Sequence, residues 1–234
     1  MHTESSLRER LIDVGVDLVL SEGSAALGLR EIARRAGVSH GAPRRHFPTH
    51  HALLSAIARR GFADLGERFT AALAEATTPR AQLQALARTY VGYALERRGM
   101  FELMFRHDLL DSEQQHTSDQ PRLRESTLPL FDRMVTLVDR CRAEKDATQL
   151  PDSAGELATL APSVTTAVLW SNLHGMAQLW AWGSLQLALG NARLPGDTSQ
   201  QGGRLDQLQQ PDQSDQLDRL VAAVLDTHLG PVRT

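Results

Sequence analysis

Apolar residues recur along most of this chain at steps of three and four. Leu7, Leu11, Val14 and Leu18 share one face of a helix predicted over about residues 5–22, and Glu22-Gly23-Ser24 ends it, glycine being a natural C-terminal stop. A second, short helix is predicted over 29–36. Gly37 closes it, and the Ser39 hydroxyl is placed to cap the next one. Pro48 then breaks the chain after Phe47, and Thr49 offers a cap for a longer helix over about 50–75 carrying Leu53, Leu54, Ile57, Phe62, Leu65 and Phe69. Further helices are predicted over 79–97, 99–108, 121–144, 155–189 and 213–229, with Pro79 and Pro121 near starts and Gly190 near a stop. No strand-like alternation competes with this pattern, so the expected fold is all-α.

Two stretches break the periodicity. Residues 111–120 (DSEQQHTSDQ) and 190–216, the latter dense in Gln, Asp, Gly and Pro, read as mobile loops or linkers, the second as a flexible insertion. Near the N-terminus the pattern is more informative. Two short helices joined by a tight turn that opens with glycine describe a helix-turn-helix. Ile32, Ala33, Ala36, Val38 and Phe47 supply the small and aliphatic side chains that such a crossing needs, and Gly37 suits a left-handed backbone. The second helix is then free to present its polar side to a groove. Pro43 is uncomfortable inside a helix beyond its first turn, which argues for a start somewhat after Ser39.

Charge sharpens this picture. The 234 residues are 41% hydrophobic and carry a net charge of −3. Residues 29–60 alone hold seven arginines against the single acid Glu31, a local +6 that leaves −9 for the remainder, and four histidines (His40, His46, His50, His51) lie in the same window. A basic module on an acidic body is the electrostatic footprint of a polyanion binder. One cysteine, Cys141, excludes an internal disulfide framework and fits a reducing cytosol. No apolar run approaches the ~20 residues that span a bilayer, so no membrane partner is expected.

The run GSAALGLREIARRAGVSHGAPRRHFPTHHALL resembles the N-terminal signature of TetR-type transcriptional repressors, over roughly residues 7–60. The resemblance implies an all-helical homodimer with a three-helix DNA-binding domain, here about residues 1–50, and a larger effector-binding and dimerisation domain over 51–234. It places Ser39, His40, Gly41 and Ala42 at the start of the recognition helix near base edges. It gives Arg45 a guanine-reading position, puts Arg44 and His46 where phosphate is touched, and puts His50 where a lysine is customary. Arg30 would clamp the DNA backbone. Arg44 stands where tyrosine is usual in the family, and Gly28 where a Ser or Thr cap is usual. With His46 and His50 beside phosphates, DNA affinity is expected to rise as pH falls. Their four-residue spacing also fits a metal pair, but Pro48 intervenes and no cysteine is near, so no metal or cofactor is expected.

YVGYALERRGMFELMFRHDL and LWSNLHGMAQLWAWG resemble parts of the C-terminal domain of one subgroup, named for a Trp-x-x-x-His-Gly pattern that Trp170, His174 and Gly175 carry. Phe101, Met104 and Phe105 on one helix, with Trp170, His174 and Trp180 on another, are candidates to line a cavity for a small hydrophobic effector; the same spacing also describes ordinary core. His174 is open to two readings, a ligand contact or a buried histidine bonded to a neighbouring helix. Dimers would form through the C-terminal helices and read a palindromic operator. The competing readings are an activator or a non-DNA regulator on the same fold. More distantly, a small helical enzyme could use Cys141, His174 or the carboxylates near 108–113, though none has a partner at telling spacing.

Overall fold

The computed structural model describes residues 6–106, 110, 123–146, 160–189 and 213–231. In order, its elements are α1 (Leu7–Glu22), a 3-10 turn (Ser24–Ala26), α2 (Leu29–Arg35), α3 (Pro43–His46), α4 (His50–Ala74), α5 (Pro79–Glu96), α6 (Arg98–Met104), α7 (Leu123–Asp146), α8 (Pro162–Ala181), α9 (Ser184–Ala188) and α10 (Gln213–Leu229). No strand occurs among the described residues, and none of their helices is long and apolar enough to cross a membrane.

Side-chain caps explain several of these starts. The Ser6 hydroxyl accepts from Glu9 N–H at 3.3 Å, Thr49 from Ala52 N–H at 3.0 Å, and Thr78 from Ala81 N–H at 3.2 Å. Ser39 does not cap. Its carbonyl, rather than its hydroxyl, accepts from Ala42 N–H at 2.9 Å, forming a turn, and α3 begins only at Pro43. Proline suits that first position because its missing N–H would have had no helical partner.

The helix expected over 155–189 is two helices. Gly183 adopts φ +78°, a left-handed conformation that ends α8 and starts α9. The helix expected over 99–108 ends at Met104. Residues 111–120 lie outside the described residues, as does most of the expected insertion, whereas 213–216 open α10 as helix.

The chain divides into two compact units, Met1–Ala71 with Tyr93–Arg133 and Ala72–Gly92 with Met134–Thr234, so α4, α5 and α7 contribute residues to both. In the first unit the apolar face of α4 (Leu53, Ile57, Leu65, Phe69) packs with Leu11, Leu18, Ile32, Phe47 and Met100, all essentially inaccessible to solvent. Burying each such side chain contributes about 1.5–3 kcal/mol. Two glycines let α6 approach its neighbours closely. A Cβ on Gly99 would lie 2.4 Å from the Val19 carbonyl oxygen, and one on Gly61 would lie 2.7 Å from Met104 Sδ. Helix α6 is thereby seated directly on the end of α1 and on α4.

The second unit has its own core, including Leu83, Leu86, Val138, Leu169, Leu173, Val221 and Leu225. Arg80 pairs with Asp226, and Arg88 with Asp218 at 2.9 Å. The two pairs are matched in spacing along α5 and α10, which therefore run antiparallel.

Candidate nucleic-acid interface and effector site

The helix-turn-helix is built from little material. Ile32 and Ala33 of α2 are fully buried, Gly37 turns the chain at φ +66°, and Val38 N–H returns to the Ala33 carbonyl at 3.0 Å. Helix α3 is a single turn whose Pro43 and Phe47 flank are buried. Successive residues rotate by about 100° around a helix axis. Arg45 therefore points nearly opposite the Pro43–Phe47 face, with Arg44 and His46 to either side of it. Arg44 and Arg45 are exposed and His46 is half-buried, as this rotation requires. His40 and Gly41 form an exposed turn ahead of α3, with Ala42 half-buried behind them.

The seven arginines of the basic window divide by their partners. Glu31 accepts from Arg34 at 2.5 Å and from Arg35 Nε at 2.7 Å, and these bonds hold its carboxyl down at about 2. Arg35 also pairs with Glu22, and Arg60 reaches Glu9 at 2.5 Å. Arg30, Arg44 and Arg45 are exposed and have no ion pair or hydrogen bond among the described residues. Three guanidiniums are thus left for an outside anion while Arg34, Arg35 and Arg60 are tied to the protein's own acids and Arg59 is half-buried.

His50 has a partner within the protein. Its Nε2 lies 2.6 Å from the Leu27 carbonyl oxygen, so that nitrogen carries a proton and donates it, tying the start of α4 to the segment before α2. What His50 can offer a phosphate is limited to its other nitrogen and to the open N–H groups at the helix start. Arg8 of α1, which the sequence did not single out, lies over the Phe47 ring at 5.2 Å and braces the residue that ends α3.

The candidate effector residues fall into separate groups. In the first unit Phe101 and Met104 are buried, Phe105 packs at a tilt against Phe101 with centroids 4.9 Å apart, and it meets Phe62 edge-on at 5.7 Å. In the second unit Trp170 Nε1–H donates to the Tyr90 hydroxyl at 2.9 Å, and that oxygen lies 2.8 Å from His174 Nδ1. His174 is bonded to a neighbouring helix, its partner lying on α5. Burial lowers the His174 pKa and raises that of Tyr90, so both are held neutral. Trp180, a further three turns along α8 from Trp170, is buried, and its carbonyl accepts from Gln186 at 3.1 Å. Tyr90 was missed because nothing local marks it: its partners lie 80 and 84 residues away. Cys141 is half-buried with its thiol pushed up to about 11 by burial, far from a nucleophile's range. The carboxylates near 108–113 lie outside the described residues.

Comparison with known proteins adds three findings. The family model for the bacterial regulatory proteins of the tetR family matches residues 11–57, and that for the tetracyclin repressor-like C-terminal domain matches 83–194, together about two thirds of the chain. The chain is 35% identical over 81 residues to the HTH-type transcriptional regulator BetI of Rhizobium meliloti; this stretch is 35% of the chain and 40% of the relative, so it spans less than half of that protein. Among solved structures, a protein of unknown function from Rhodococcus sp. RHA1 superposes with a TM-score of 0.64 at 28% identity, covering 97% of this chain and 96% of that one. RolR, crystallised with resorcinol, superposes with a TM-score of 0.58 at 18% identity, over 97% of this chain and 88% of its own, a likeness of fold.

Proposed function

The chain belongs to the TetR family of bacterial regulatory proteins, and from that premise we propose that it is a ligand-responsive transcriptional repressor, binding a palindromic operator as a homodimer and released by a small organic effector. The observation that carries the DNA reading is the sorting of the arginines: among the described residues Arg30, Arg44 and Arg45 stay exposed without an ion pair, beside a helix-turn-helix where Arg34, Arg35 and Arg60 are held by Glu31, Glu22 and Glu9. Arg45, pointing straight out from α3, reads guanine through paired N–H donors, the commonest specific contact in the major groove. Arg44, His46 and Arg30 grip phosphates, and His40, Gly41 and Ala42 border the same groove.

One such unit makes few contacts, and two-fold pairing supplies the rest. The surface of α8 supports this pairing. Val164 and Val168 near the start of α8, and Leu179 and Trp182 at its end, are 41–61% exposed and fall along one side of the helix. Single exposed apolar residues are ordinary, but an aligned stripe is what a second copy covers.

The effector binds in the second unit beside Trp170, His174 and Trp180. It releases DNA by favouring a dimer whose recognition helices are spaced wrongly for the operator. It can do so only by binding that state better than the other. A mobility-shift titration with duplex DNA flanking the protein's own coding region tests the reading. Binding by two chains per duplex that weakens steeply with salt is expected. Absence of any duplex binding sinks it.

A further inference from the structure

Helix α3 holds four residues, and a single helical turn is unfavourable on its own. Its backbone bonds are local: Phe47 N–H donates to the Pro43 carbonyl at 2.8 Å, and Arg45 N–H to the Ala42 carbonyl at 3.1 Å. Whatever fixes the direction of Arg45 therefore reaches α3 from other elements, through its buried flanks Pro43 and Phe47.

Phe47 is 1% exposed, and Arg8 of α1 closes over its ring with the guanidinium carbon 5.2 Å from the centroid. A cation gains most over an aromatic face when both are withdrawn from water, and Arg8 is itself half-buried. Arg8 is held in turn. Its Nη1 donates to Glu9 Oε1 at 2.8 Å, and the second oxygen of Glu9 accepts from Arg60 of α4 at 2.5 Å. Both oxygens of one carboxylate are thus committed, one to the arginine over Phe47 and the other to α4. Glu9 also offsets a crowding of cations. Burial, and then the charge of Arg8, lower the pKa of Arg59 on α4, so without this acid Arg8 would be pushed away from the corner it occupies.

Resting on the DNA reading above, we propose that the Arg60–Glu9–Arg8 chain is a specificity device: it seats Phe47, and through Phe47 sets the angle at which Arg45 meets its base pair. Arg8 and Glu9 touch no DNA and are positioning residues. Paired N–H donors read guanine only when held within about 0.5 Å of the productive geometry. A loosened Phe47 lets Arg45 sample arrangements that no longer distinguish the base, while the phosphate grip of Arg30 and Arg44, which carries no sequence information, is kept.

The test uses the full chain, duplexes selected from a randomised pool, anisotropy across a salt series, and melting curves. The base pair read by Arg45 is the one whose preference Arg45→Ala loses. Arg8→Met keeps an aliphatic stem over Phe47 without the charge, and discrimination at that base pair falls by roughly three- to tenfold, short of the loss in Arg45→Ala. The slope of log K against log salt stays that of wild type. Arg8→Lys keeps a cation over the ring and recovers most of the discrimination. Glu9→Gln gives the sharpest contrast. It removes a negative charge, so electrostatics alone tightens binding to every duplex, whereas lost positioning relaxes preference at the same base pair. The double variant Arg8→Met, Glu9→Gln is no less specific than the poorer of the two single variants, because both act through one contact. Glu9→Gln also keeps the test decisive should Arg8→Met fold poorly. A base preference unchanged in both Arg8→Met and Glu9→Gln overturns the proposal, whatever happens to Tm. So does a salt slope reduced by about one per half-site in Arg8→Met with preference intact, which makes Arg8 a phosphate contact. A wild-type chain that binds no duplex sinks the DNA reading itself, and the proposal with it.

Discussion

Replacing Arg45 by alanine separates base reading from simple electrostatics. Arg45 points away from the buried Pro43–Phe47 flank and has no partner among the described residues, so its removal takes no contact from the fold. Such surface changes stay within about 0.5 kcal/mol, and for a chain of this size that is a shift in Tm of roughly 2 °C or less. On DNA the loss is larger. A bidentate arginine–guanine contact discriminates by about 1–3 kcal/mol, which is roughly 5- to 150-fold in Kd. That loss falls on one base pair of the half-site. Arg44→Ala, one position around the helix, behaves differently: affinity drops for all sequences, and the slope of log K against log salt shrinks by about one per half-site. The assay is selection of bound duplexes from a randomised pool by wild type and both variants, followed by anisotropy titrations at several salt concentrations. Uniform weakening by Arg45→Ala, with a changed base preference in Arg44→Ala, would refute the orientation assigned to α3.

Other consequences follow from the packing. Tyr90→Phe leaves Trp170 Nε1–H and His174 Nδ1 without their shared partner; at about 1–3 kcal/mol for each buried group, Tm falls by several degrees in scanning calorimetry, and an unchanged Tm contradicts the bonded chain. Gly99→Ala drives a methyl into backbone at Val19 and Gly23, whereas in Gly15→Ala the obstructing atoms are the end of the Ile57 side chain. The first therefore destabilises by about 1–3 kcal/mol and the second by less, and equal melting curves would count against the close seating of α6. Burial lowers the pKa of His174 and of His228 below the free value of 6.5. Both are neutral in the folded state, so the stability they carry is present above about 6.5 and is lost as pH falls through the lowered values. Urea midpoints between pH 7.5 and 5 should flatten in a His174→Gln, His228→Gln double variant, and an unaltered pH profile argues against this linkage.

Much of the architecture could be read from local signals. Thr49 caps α4 as its position before an apolar run implies, and the six apolar residues assigned to that helix are all buried. The predicted bounds of α10 match the observed Gln213–Leu229. The start of α3 after Ser39 is the one Pro43 implies, and the Ser39 cap is the expectation it displaces. The long helix expected over 155–189 is cut in two at Gly183. The candidate site was legible only in part. That Glu31 would hold Arg34 and Arg35 follows from three- and four-residue spacing. That Arg60 would be held by Glu9, 51 residues earlier, and Arg35 by Glu22 does not follow from any periodicity. Hence the sequence showed seven arginines in a basic window but not which three remain available. For the same reason it flagged Trp170 and His174 by motif and missed Tyr90, whose role exists only after α5 packs on α8.

The most direct test of the central claim is the binding of the Arg30→Ala, Arg44→Ala, Arg45→Ala triple variant to duplex DNA selected by the wild-type protein, followed by anisotropy across a salt series. The account predicts that specific binding is abolished and the residual salt slope is shallower, while Tm stays within a few degrees of wild type because none of the three holds the fold. A triple variant that binds the selected duplex as tightly as wild type, with the same salt dependence, would contradict it.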